Sequence, residues 1–241
     1  SGHSVAIGRA AANLSDTSAL SDDLIGMGQY RYIESILKDF DKNFDTLVKE
    51  MKEVLSILLT KENLEVFAGS DKKGIKAFNK VLTGFLPKLN EGASELPVVH
   101  YTKNKGHEAY SSASTVQYAA MAGNFKKAGL EYKGSLQVLR TMLSTDYLWN
   151  QVRVLGGAYG CFCSFSSSGD SFFASYRDPN LKNTYNVFEK VQDYVTNYSG
   201  DMEEIERYII STIADYDAPF TPSLKASRTY LNYKSGVTLT T

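Results

Sequence analysis

Cysteine, proline, histidine and tryptophan are all scarce in this 241-residue chain, at 2, 5, 3 and 1. Two thiols exclude a fold held together by disulfides. The three histidines, His3, His100 and His107, form no H-x-x-x-H or H-x-x-E-H pair, so no metal site is expected within the chain. No apolar run approaches the ~20 residues that a helix needs to span a bilayer, which argues against a membrane protein. Neither sign of charge is in surplus. The 26 Lys and Arg against 27 Asp and Glu leave a net −1, and so no electrostatic case for nucleic acid or an anionic membrane. The opening Ser-Gly-His-Ser lacks the basic and apolar regions of a secretory signal. With no initiator Met and a final Leu-Thr-Thr, the chain is expected to be a piece of a longer protein, whose remainder could carry a targeting segment.

What is present is an ordinary globular composition. At 43% hydrophobic and 22% charged, the chain can bury a substantial core. Residues 1–59 read as helix throughout. Ser21 is the expected cap of a helix whose first turn carries Asp22 and Asp23, and Gly26-Met27-Gly28 is an expected interruption. Phe44, Leu47, Val48, Met51, Leu55 and Leu58 follow helical spacing. Leu64 to Ala68 is a short strand candidate, and Ile75 to Leu86 a helix stopped by Pro87. Residues 90–112, with Gly92, Pro97 and Gly106, read as an irregular connection. Thr115 to Met121 alternates as a strand does, with Val116, Tyr118 and Ala120 on one face.

Gly134 to Val152 has the spacing of a helix. Tyr159 to Tyr176 then reads as a β-hairpin turning at 166–170. Tyr159, Cys161, Cys163 and Phe165 lie on one face, and Phe172, Ala174 and Tyr176 continue on the way back. Helices follow over Leu181–Tyr198, after Asp201 with Glu204 as a capping box, and over Leu224–Tyr233. The order from residue 62 is β-α-β-α-β-β-α-α. It predicts an α+β, two-layer fold with a largely antiparallel sheet covered by helices, preceded by a helical segment.

Few constellations stand out. Cys161 and Cys163 would share a strand face at ~6–7 Å, too far for a disulfide, and they read best as small core hydrophobes. Gly156-Gly157-Ala158-Tyr159-Gly160 has the wrong direction for a phosphate loop, because a helix precedes it and a strand follows. It reads as a tight turn. Arg153 and Tyr159 flank that turn, offering a planar cationic fork and a phenol donor. The plainer alternative, a helix-terminal Arg and a Tyr packed on the sheet, takes precedence on chemistry alone. Tyr176-Arg177-Asp178-Pro179-Asn180-Leu181 reads as a strand end and helix start, with Asp178 or Asn180 as cap.

The run Asp146-Tyr147-Leu148-Trp149-Asn150-Gln151-Val152-Arg153-Val154-Leu155-Gly156-Gly157-Ala158-Tyr159-Gly160 resembles a particular family, as does Ser175-Tyr176-Arg177-Asp178-Pro179-Asn180-Leu181. It is similar to the last domain of the presequence-protease branch of the pitrilysin/insulinase-type zinc metallopeptidases. Gly2-His3-Ser4-Val5-Ala6, Ala10-Ala11-Ala12 and Leu20-Ser21 resemble helices that close the preceding domain. The resemblance implies that 1–59 ends a third domain and that 60–241 is a fourth, non-zinc-binding domain, truncated at its end. It implies a parent enzyme whose N-terminal half binds zinc and whose two halves close around unstructured peptides.

By the same resemblance, Tyr159 would hydrogen-bond the substrate carbonyl or its oxyanion, and Arg153 would fix the peptide nearby. Gly156 and Gly157 would bring the backbone close to it. These expectations reverse the plainer reading of Arg153 and Tyr159. Cys161 and Cys163 stand where small or polar residues are expected. The alternatives are a non-catalytic scaffold subunit of the same fold and a stand-alone peptide-binding module. The low cysteine content suits a reducing interior, the cytoplasm or an organelle matrix.

Overall fold

The computed structural model describes residues 2–92, 98–102 and 106–237. The chain separates into two units, Ser1–Leu37 with Val99–Asp217, and Lys38–Val98 with Ala218–Thr241.

The first unit opens with helices α1 (Gly2–Ala12), α2 (Asp16–Ile25) and α3 (Met27–Lys38). Ser15, not Ser21, caps α2: its hydroxyl accepts from the Ser18 amide at 3.1 Å, and Ser21 lies inside the helix. Asp22 is therefore nowhere near a first turn. It is buried near the end of α2, where Oδ1 accepts from the Met27 amide at 3.1 Å and Oδ2 from Arg9 at 2.7 Å. Arg9 also forks onto Glu108, at 2.9 and 2.6 Å. That fork holds the Glu108 carboxyl down at about 2 and ties α1 to the chain entering the sheet.

The sheet has the order β1-β3-β2, all antiparallel, with β1 at Ala120–Asn124, β2 at Gly160–Phe165 and β3 at Asp170–Tyr176. The expected hairpin is present, and its register decides its faces. Met121, Phe173 and Cys163 stand opposite one another, as do Ala120, Ala174 and Phe162. Phe172, Ala174 and Tyr176 thus lie across from Ser164, Phe162 and Gly160, on the face away from the cysteines. The first face carries the core: Ala119, Leu143, Leu148, Val152, Ala158, Cys163 and Phe188. Helix α1 covers the other, where His3 stacks on Phe162 at 5.6 Å and meets Tyr176 edge-on at 5.0 Å.

The helix expected over 134–152 begins as α6 (Ser135–Met142) and continues through π-helical turns, Leu143–Tyr147 and Trp149–Leu155. Thr141 and Thr145 sit at the transition, and each hydroxyl bonds the carbonyl four residues back, at 3.2 and 2.8 Å. Such bonds compete with the backbone ladder and favour a wider turn. Helices α7 (Lys182–Glu189) and α8 (Val191–Thr196) follow the sheet, and α9 (Met202–Asp217) is capped by Asp201 through the Glu204 amide at 2.9 Å.

The expected strand over 115–121 is displaced. Its ladder runs from Ala120, and Gln117 makes an isolated bridge to Asp178. From Gln117 to Ala120 is three steps, but from Ala174 to Asp178 is four. One extra residue on the β3 side makes a bulge, and no alternation pattern reports it.

The second unit holds α4 (Phe40–Leu58), α5 (Lys72–Phe85) and α10 (Pro222–Ser235). Residues 64–68 are not a strand. Phe67 packs on the Tyr230 ring of α10 at 5.4 Å, and Glu65 pairs with Lys234 at 2.6 Å. The one ring of that stretch thus rests on a helix, while Val66 is exposed. The helical spacing of α4 is as expected, yet Phe44, Met51, Leu55 and Leu58 on its stripe are exposed. Of the irregular stretch 90–112, residues 93–97, including Pro97, and 103–105 lie outside the described residues.

Candidate functional site

The turn between the π-helical segment and β2 is built from two hydrogen bonds and two glycines. The Gly157 amide donates to the Arg153 carbonyl at 2.9 Å, and the Ala158 amide to Val152 at 3.1 Å. Gly157 has φ +78°, which glycine alone adopts without strain. At Gly156 a Cβ would lie 2.5 Å from the Val152 carbonyl oxygen. Both glycines are therefore needed for the turn itself. The Asn180 side chain then donates to the Gly156 carbonyl at 2.5 Å.

The turn brings Arg153 and Tyr159 together. The Arg153 guanidinium donates to the Tyr159 carbonyl, lies over the Trp149 ring at 4.3 Å and stands 5.4 Å from the Tyr159 ring centre. Stacking between two aromatic faces removes much of the rotational freedom of a long side chain. The Tyr159 amide donates to the Tyr176 carbonyl at 3.1 Å, which fixes the start of β2. The Tyr159 side chain, 63% exposed, rests edge-on against Tyr176 at 5.8 Å. The backbone is held and the phenol is presented to solvent. Trp149 and Leu155, also exposed, add apolar surface beside it.

The bulge lies directly behind. Arg177 has φ +48°, the one positive value at a described non-glycine residue. An arginine in that region costs about 1–3 kcal/mol, so the surroundings must enforce it. Asp178, fully buried, does so. Its backbone makes a pair of bonds with Gln117 at 2.8 and 2.9 Å. Its carboxylate accepts from the Asn180 amide at 2.8 Å and the Thr184 hydroxyl at 2.6 Å. Neither Asp178 nor Asn180 is the expected helix cap: Leu181 stands at the N-cap of α7, with no side-chain cap bond. Asp178 instead closes a turn onto the Asn180 amide, and the Asn180 side chain reaches across to the glycine turn. The sequence reading gave Trp149 no role.

A family model for the PreP C-terminal domain matches residues 107–240, more than half of the chain. The chain belongs to that family. The resemblance carried by residues 146–181 pointed to the same presequence-protease group. Among similar proteins, Protein HypA of Clostridium perfringens is 31% identical over 99% of this chain. Presequence protease 1, chloroplastic/mitochondrial, of Arabidopsis thaliana is 31% identical over 99% of it. The mitochondrial presequence protease of Kluyveromyces lactis is 28% identical over 90% of it. The chain spans about a quarter of each relative's length, at 24%, 22% and 23%.

Among the described residues of this PreP C-terminal domain chain, no three His, Cys, Asp or Glu side chains converge as a metal would require. No described helix is long and apolar enough to cross a membrane. The two thiols are free; Cys163 is in the core and Cys161 packs against it. Burial is the main cause that pushes Cys161 up to about 11, and Cys163 is raised for the same reason.

These raised thiols carry a pH dependence. Above the ordinary thiol value of 9.0, the unfolded chain releases protons that the folded state still holds. The stability they contribute is complete at neutral pH and is lost as pH rises towards 11. The thermal midpoint is therefore expected to fall across that window, and to fall less in Cys161→Ala. Equal slopes for the two proteins would show that the thiol is not desolvated as described.

Proposed function

We propose that this chain is the C-terminal, non-zinc-binding part of a zinc metalloendopeptidase that degrades short unstructured peptides in a closed chamber. The observation that carries the reading is the rigid turn of a PreP C-terminal domain that holds Arg153 and presents the Tyr159 phenol outward. Residues 1–59 would close a third domain and 60–241 form the last. As the resemblance implies, the metal would be held by the N-terminal part of the same polypeptide, outside this chain. Zinc in such enzymes polarises the scissile carbonyl and activates water. The residues of this chain would bind and orient the peptide, with Tyr159 donating to the carbonyl oxygen as charge develops on it and Arg153 fixing the backbone nearby.

The exposed stripe on α4 is the kind of surface that a neighbouring domain covers, in keeping with a longer polypeptide. Two relatives carry mitochondrial or chloroplastic in their names, and we place this protein in the cytoplasm or an organelle matrix.

A second reading, a stand-alone peptide-binding module, draws on the open side of β2. Among the described residues β2 pairs only with β3, so an extended peptide could add to it as a further strand. One experiment separates the readings. The full-length protein should cleave an unfolded peptide and lose that activity to a metal chelator, while the isolated chain neither cleaves nor retains the peptide. Retention of peptide by the isolated chain would favour the module. A chelator-insensitive full-length protein would overturn the zinc peptidase.

A further inference from the structure

We propose that Arg177 is a substrate-binding residue that pairs with a carboxylate of the bound peptide, beside the position given to Tyr159; this rests on the peptidase reading above. Three observations carry it. First, the bulge where Gln117 bridges to Asp178 adds one residue to the β3 side, and Arg177 lies within it with φ +48°. Bulges re-aim side chains and cluster near functional sites. Glycine would hold this backbone with less strain, so the arginine side chain is what the position gains by departing from it.

Second, the bulge is joined to Tyr159. The Tyr159 amide bonds the Tyr176 carbonyl and also approaches that of Arg177, at 3.3 Å. The Tyr176 ring receives Tyr159 edge-on and lies under the Arg177 guanidinium at 5.5 Å. The two side chains therefore share one aromatic support. Third, Arg177 is exposed, and among the described residues no carboxylate pairs with it. The nearest carboxylate in sequence, Asp178, is buried and already accepts from Asn180 and Thr184. A guanidinium held over an aromatic face, with its donors unspent, matches a planar carboxylate. On a peptide that group is the C-terminus or an acidic side chain.

The test uses the full-length protein and one unstructured peptide in four forms: free acid or C-terminal amide, each with Glu or with Gln at its acidic position. Arg177→Gly should leave the thermal midpoint unchanged or raised. It should increase KM about tenfold for carboxylate-bearing peptides. It should leave kcat, and the KM of the amidated Gln peptide, close to wild type. Whichever neutralisation abolishes the mutant's defect names the carboxylate that is bound. Arg177→Lys should recover part of the loss. If Arg177→Gly fails to fold, Arg177→Gln keeps the side-chain length, removes the charge and decides instead. Equal KM changes on the charged and neutral peptides, or none on either, would overturn the proposal. Tyr159→Phe is measured in parallel: if it keeps full kcat, the peptidase role of the site fails; if it loses kcat while Arg177 variants show wild-type KM, only the present inference fails.

Discussion

In the full-length protein, Tyr159→Phe is expected to lower kcat by about 10²-fold while KM moves by less than about threefold. The substitution removes one hydroxyl and nothing else that the fold uses. The ring can still rest edge-on against Tyr176, and the bonds from Tyr159 to the protein are made by its backbone amide and carbonyl. A donor that strengthens only as negative charge develops on the carbonyl oxygen acts on the chemical step and little on substrate affinity. The measurement is steady-state cleavage of an unstructured fluorogenic peptide. Unchanged kcat would remove Tyr159 from the chemistry. A rise in KM alone would make it a contact for ground-state binding only.

Phe188→Ala has the largest expected effect on stability, a loss of about 3–5 kcal/mol. Phe188 is 2% exposed, stacks on Phe173 at 5.8 Å and meets Tyr185 edge-on at 6.1 Å. It belongs to the cluster that includes Leu148 and Val152, which lie on the helical segment carrying Arg153. Truncation opens a cavity between that segment and the sheet, where close packing now sets the position of the glycine turn. Amide hydrogen exchange is the appropriate readout, because it reports the loss segment by segment. Protection should fall across 160–165 and 170–176 and along the segment that ends at Leu155. Wild-type protection there would show that the sheet does not depend on this contact. Phe188→Leu, which keeps most of the volume, should cost less.

Much of the molecule could be read locally. The stripe from Phe44 to Leu58, the stop at Pro87, the hairpin across 166–170 and the Asp201 cap all depend on neighbours a few residues apart, and all appear. The glycine turn between Arg153 and Tyr159 could be read in the same way, because a helix, two glycines and a strand in succession allow few backbone paths, but the substrate role given to those two side chains came from the resemblance alone. One local signal misled: Ser21, followed by two acidic residues, has the pattern of a cap, yet it lies inside α2, which Ser15 caps.

What tertiary structure alone decided has a common physical cause. Residues 64–68 have the composition of a strand, but among the described residues no strand pairs with them, and Phe67 rests on Tyr230 of α10. The first sheet strand starts at Ala120 because the bulge around Arg177 interrupts pairing, and the bulge persists because buried Asp178 holds it through four hydrogen bonds to Gln117, Asn180 and Thr184. Periodicity along a chain reports which face of an element is apolar. It carries no account of which distant backbone groups will pair, or of where a buried carboxylate will find its donors. The sequence by itself determined the helices, the hairpin and the family of this chain. Only the folded contacts decided the register of the sheet and the strained arginine beside its glycine turn, because both are set by hydrogen bonds between segments far apart in the chain.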